Sequence, residues 1–107
     1  MIKDDTGKID TLITGLWQKH LPQLRERLDL FDRVGTAAAA GTLDDVTRNE
    51  ALSNAHKLAG NLGMFGYPKG SKIASEMEQV LRYPTPETLA NFSTLAHDLR
   101  KTLAPGL

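Results

Sequence analysis

Apolar residues recur along this chain at intervals of three and four, the spacing that gathers them on one face of an α-helix. Ile9, Leu12, Ile13, Leu16 and Trp17 make a first stripe, which Pro22 interrupts. Proline has no N–H to give to a helix and its ring crowds the preceding turn, so the pattern predicts a first short helix or a kinked arm. Beyond Pro22, the residues Leu24, Leu28, Phe31 and Val34 carry a stripe toward the alanine run Ala37 to Ala40, and Gly41 is placed to end that second helix. Thr42, with Asp45 three residues on, suits the start of a third helix running to about Phe65. Gly66, Tyr67 and Pro68 form a break. Ile73, Met77, Val80 and Leu81 mark a fourth helix ending near Tyr83. Thr85 as cap and Pro86 as first helical residue open a fifth, with Leu89, Phe92, Leu95, Leu99 and Leu103 on its apolar face.

No segment alternates β-branched or aromatic residues with polar ones as a half-buried strand would, so the fold class is all-α. Short connections favour antiparallel neighbours. The expected architecture is an up-and-down four-helix bundle with an additional N-terminal helix or kinked arm. One domain spans 1–107, with about 1–21 as the arm and about 22–105 as the bundle.

Composition narrows the function classes. A chain of 107 residues has room for one modest core. Its 13 basic and 13 acidic residues cancel, so no long-range field draws it to nucleic acid or to an anionic membrane. It has no cysteine, which excludes disulfide and thiolate chemistry and suits a reducing compartment. The charged opening MIKDDTGKID and the lack of any run near the roughly 20 apolar residues of a membrane span lead us to expect a soluble, cytoplasmic chain without a secretion signal.

Candidate chemistry concentrates in NAHKLAGNLGMFGYPKG, residues 54–70, where a helical pattern carries a histidine and several glycines. On a wheel at about 100° per residue with His56 at zero, Ala51, Leu58, Leu62 and Phe65 fall between about 180° and 240°, toward the bundle. Asn49, Leu52, Ser53, Ala59, Gly60 and Gly63 share the outward face with His56, and apart from Leu52 they are small or short and polar. A glycine inside a helix costs about 1 kcal/mol relative to alanine. Two of them beside one outward histidine point to a large partner that must approach the backbone. An imidazole is substantially neutral near pH 7, which leaves a ring nitrogen free to act as a nucleophile.

AHKLAGNLGMFG resembles the phosphorylation-site helix of histidine phosphotransfer (HPt) domains, helical bundles that relay phosphoryl groups in two-component signalling. The matching positions are His56, Gly60 and the Leu62, Gly63, Phe65, Gly66 run, with Lys69 to Leu81 as the following helix. The resemblance implies that His56 accepts a phosphoryl group from a receiver-domain aspartate and passes it to another receiver aspartate. It implies response-regulator receiver domains as partners, with a hybrid histidine kinase as a further candidate, and a monomeric carrier with no kinase activity of its own. Cofactors are expected to be none on this domain, with Mg²⁺ and the acidic pocket on the receiver, in keeping with the lack of any acidic cluster on the His56 face. Many members carry lysine three residues after the histidine, where this chain has Ala59. Lys57 is then the candidate phosphate contact, about 100° round the helix from His56.

Rival readings remain beside it. GNLGMFG lacks the strand and the lysine or serine pattern of a phosphate-cradling loop. His20, His56 and His97 lack the close ligand spacing of helical metal sites, so no metal is expected, and His20 and His97 read as surface or boundary residues. Trp17 reads as core. An autonomous enzyme is disfavoured by the absence of a nucleotide motif and of an acid–base pair on one face. The main alternative is a helical protein-interaction module, a degenerate HPt domain or an unrelated bundle, without phosphoryl transfer.

Overall fold

The computed structural model describes residues 2–107, with side chains described from residue 11 onward. Among the described residues the regular structure is entirely helical, as the apolar spacing predicts. Helix α1 covers Ile2–Ala40, α2 Asp45–Met64, α3 Pro68–Arg82, α4 Pro86–Ala90 and α5 Phe92–Leu103, and a 3₁₀ turn follows at Ala104–Gly106.

The first two expected helices are one. α1 continues through Pro22, so the N-terminal segment is an extension of a bundle helix rather than a separate short helix. The bond that Pro22 cannot make belongs to the carbonyl of Gln18, and both residues are exposed, so water can serve that carbonyl. Buried Trp17 on one side of the proline and Leu24 on the other hold both halves against the bundle.

Helix ends follow local chemistry. Gly41 adopts φ +70° and Gly66 φ +84°, left-handed values that favour glycine. At each, the amide that follows the glycine reaches back to close the last turn: Thr42 to the Ala37 carbonyl and Tyr67 to that of Leu62, both at 2.9 Å. Thr42 therefore belongs to the end of α1, and the expectation that it caps α2 is corrected. The cap is Asp44, whose carboxylate accepts from the Thr47 amide at 2.7 Å. That backbone hydrogen bond is also the main reason its pKa falls below the usual aspartate value.

The expected fifth helix is divided. At Asn91 the ladder tightens to a bond with the Thr88 carbonyl three residues back, at 3.2 Å, and Phe92, the next residue, is wholly buried. The Thr85 and Thr88 side chains close a capping box on α4, as the position of Thr85 suggests.

The core draws Leu24, Leu28, Phe31 and Val34 from α1, Ala51, Ala55, Leu58 and Leu62 from α2, Met77 and Leu81 from α3, and Phe92, Leu99 and Leu103 from α5. α2 and α3 are the most closely packed pair. They run antiparallel: Arg48 donates to the Leu81 carbonyl at 2.8 Å, His56 meets Glu78, and Ser71 donates to the Ala59 carbonyl at 2.6 Å. Gly70 makes the close approach possible, since a Cβ there would stand 3.2 Å from Leu62 Cδ1 and 3.3 Å from Leu103 Cδ2. No helix among the described residues is long and apolar enough to cross a membrane.

Candidate functional site

The inner face of α2 decides where His56 stands. Ala51, Ala55, Leu58 and Leu62 are fully buried, and this anchoring turns the opposite face to solvent. The His56 side chain is 72% exposed, while its neighbour Glu78, on α3, is only 12% exposed. Nδ1 of the ring lies 2.5 Å from Glu78 Oε1. The same oxygen accepts from Arg82 Nη2 at 3.3 Å, in the Glu-to-Arg i,i+4 order that suits a helix. Among the described residues none bonds Nε2 of His56.

The outward residues divide into two groups. Asn49, Ser53, Gly60 and Gly63 are exposed alongside His56, as the wheel places them. Leu52 and Ala59 share that side of the helix but are half-buried and packed against the core. At about 320° and 300° on the wheel they lie at the margin where α3 packs. A Cβ on Gly60 would have nothing within 4 Å, and one on Gly63 would meet only Ser71 Oγ at 3.7 Å, ordinary contact. Packing inside the bundle requires neither glycine. Lys57 is exposed on the side of His56 away from α3.

A helix wheel for α2 could not show Glu78 and Arg82, because they come from the next helix. The neighbouring helix brings one carboxylate, that of Glu78, to the ring. The register was nonetheless available, since His56 and Glu78 lie eleven residues either side of Tyr67, in the turn of the α2–α3 hairpin.

The other two histidines stand apart from the site. His97 is exposed. His20 is half-buried, stacked on Phe65 with ring centroids 5.7 Å apart, and its Nε2 is buried without a hydrogen-bond partner. Burial lowers its pKa, the charge of Arg27 lowers it further, and a hydrogen bond with Gln23 opposes them. Among the described residues no group of three His, Asp or Glu side chains could hold a metal ion. Trp17 packs as expected: it stacks on Tyr67 at 4.9 Å, meets Phe65 edge-on at 5.1 Å, and donates from Nε1 to the Gly106 carbonyl at 2.9 Å.

The arrangement offers one accessible imidazole on a rigid helix, with low relief on one side and a charged pair on the other. A ring so exposed is open to approach from outside the bundle. A family model described as Hpt domain matches residues 15–104. No curated protein and no solved structure matches the chain.

Proposed function

The chain belongs to the Hpt domain family, whose members carry phosphoryl groups on histidine, and from that premise we propose that His56 is the carrier residue. It takes a phosphoryl group from the aspartyl phosphate of a response-regulator receiver domain and gives it to the aspartate of another receiver. The observation that carries the reading is the exposed His56 ring beside Gly60, where the bundle places nothing within 4 Å of a side chain's first atom. A receiver can settle on that flat surface, close over the ring and exclude water, conditions an in-line transfer needs. The receiver brings the acidic pocket and the Mg²⁺ that neutralises the transferring group, and this chain brings the nucleophile and the docking face.

Incubation with a phosphorylated receiver, followed by mass mapping of the acid-labile adduct, tests the assignment. Label is expected on His56. Label on His20 or His97 would overturn it, and a chain that binds the receiver without taking up phosphate would favour a pure interaction module.

A further inference from the structure

We propose that the groove between α1 and α2 binds a small zwitterion, whose carboxylate lies on Arg27 and whose cationic group lies between Glu26 and Glu50. The groove measures about 330 Å³, room for a molecule the size of a free amino acid. Glu26, Arg27, Leu30 and Arg33 line it from α1, and Glu50 and Asn54 from α2. Asn54 stands about 160° round α2 from His56, so the groove lies on the far side of that helix from the exposed ring.

The proposal stands on an arginine buried without a counter-ion. Arg27 is only 7% exposed. Its Nε donates to Asn54 Oδ1 at 3.0 Å, and Asn54 Nδ2 donates in turn to the Glu50 carbonyl at 2.8 Å, which fixes the amide in place. Nη1 is buried with no hydrogen-bond partner. Among the described residues no carboxylate forms an ion pair with the guanidinium. A guanidinium only donates, in a fork whose outer pair suits the two oxygens of a carboxylate, and Asn54 leaves that outer pair unserved. Buried charges are ordinarily paired. Burial lowers the pKa of Arg27, the direction expected of a cation withdrawn from water with no anion beside it.

The rim gives the reason for a ligand of both signs. Asp29, at the same groove, is taken by Arg100 at 3.2 Å. Glu26, Arg33 and Glu50 are exposed, and among the described residues none of them is in an ion pair. The free charges are then two arginines and two glutamates, which cancel. A bare anion meets Glu26 and Glu50 as it nears Arg27, and a bare cation meets Arg27 and Arg33. A molecule with a carboxylate at one end and an ammonium at the other finds opposite charge at both. Leu30, 6% exposed, offers an apolar surface to the short chain between them.

The test titrates the full chain, labelled with ¹⁵N and at low salt, with acetate, methylammonium, and the series glycine, β-alanine and γ-aminobutyrate, in which the two charges move apart. The Nε–H signal of Arg27 is expected to shift and saturate with at least one member of the series, at a Kd about two- to fivefold below that of acetate. Methylammonium is expected to leave it in place. In Arg27→Met, which fills the site without a charge, the amide signal of Asn54 should no longer respond to any of the series. If that variant does not fold, Arg27→Gln supplies the same comparison. Glu26→Gln with Glu50→Gln should bring the zwitterion to the affinity of acetate. No saturable shift with any of the three overturns the site. Undiminished binding in the Arg27 variant overturns the place of the carboxylate, and acetate binding as tightly as every zwitterion overturns the place of the cationic group.

Discussion

Two histidines, His56 and His20, stand in this molecule at sites of opposite kind. His56 is mid-helix, open to solvent, with a carboxylate on one nitrogen. His20 is wedged at the end of the bundle against Trp17 and Phe65, with a buried nitrogen that has no partner. The first site leaves the ring able to react and to be reached, and the second removes water and so favours the neutral ring. The same side chain is therefore open to solvent in one place and packed in the other, and the difference is set by which neighbours the helices bring.

The sharpest test of this contrast is a pair of substitutions. His56→Gln is expected to abolish phosphoryl uptake entirely while leaving stability within about 0.5 kcal/mol, because the side chain is exposed and supports no packing. Receiver binding should persist, and a binding assay beside the transfer assay checks it. Trp17→Ala is expected to do the reverse. Losing the buried indole should cost about 3–5 kcal/mol in denaturant unfolding, since it ties α1 both to the α2–α3 turn and to the carbonyl of Gly106. The fraction still folded should transfer phosphoryl groups at the wild-type rate. If Trp17→Ala slowed transfer in fully folded protein, the two regions would be coupled and the contrast would fail.

A smaller effect sharpens the contrast through pH. The folded-state pKa of His20 lies below its ordinary value of 6.5, chiefly because of burial. As pH falls through that ordinary value, the unfolded chain binds a proton before the folded chain does, so stability present above it is lost on acidification until the lower folded pKa is reached. The groups bearing on His20 are Arg27, which adds to the depression, and Gln23, which opposes it. His20→Phe keeps the stacking on Phe65 and removes the titration. Its melting temperature should therefore fall less than that of the wild type between about pH 7.5 and about pH 5.5. Equal falls in the two proteins would place the acid sensitivity elsewhere.

The hydrophobic pattern made most of the scaffold legible, because the buried residues of α2, α3 and α5 sit at helical spacing and their turns carry Gly66, Pro68 and Pro86. Pro22 misled, since a single missing hydrogen bond at an exposed position does not end a helix that is anchored on both sides. Thr42 misled because two neighbouring oxygen-bearing side chains could each cap, and only Asp44 bonds the Thr47 amide. At the site, His56 and Gly60 were legible on one helix wheel, but Leu52 and Ala59 needed the position of α3 to show that they are partly covered. Glu78 and Arg82 belong to a neighbouring helix, and a wheel carries no information across a turn.

The smallest expected effect isolates the reason for a glycine beside the reactive ring. A glycine in mid-helix surrenders more chain entropy on folding than alanine does, and at Gly60 nothing within 4 Å would oppose a Cβ. Gly60→Ala should therefore stabilise the protein by about 0.5–1 kcal/mol in denaturant unfolding. If the open face exists so that a receiver can approach the backbone, this gain in stability comes with no gain in transfer. The longer side chain of Gly60→Arg should leave the fold intact while weakening receiver docking. Wild-type transfer rates in the arginine variant would mean that the partner does not come close at that point, and that the flat surface beside His56 has no part in recognition. A Gly60→Ala variant less stable than wild type would instead locate a structural need for glycine that the packing of α2 and α3 does not show.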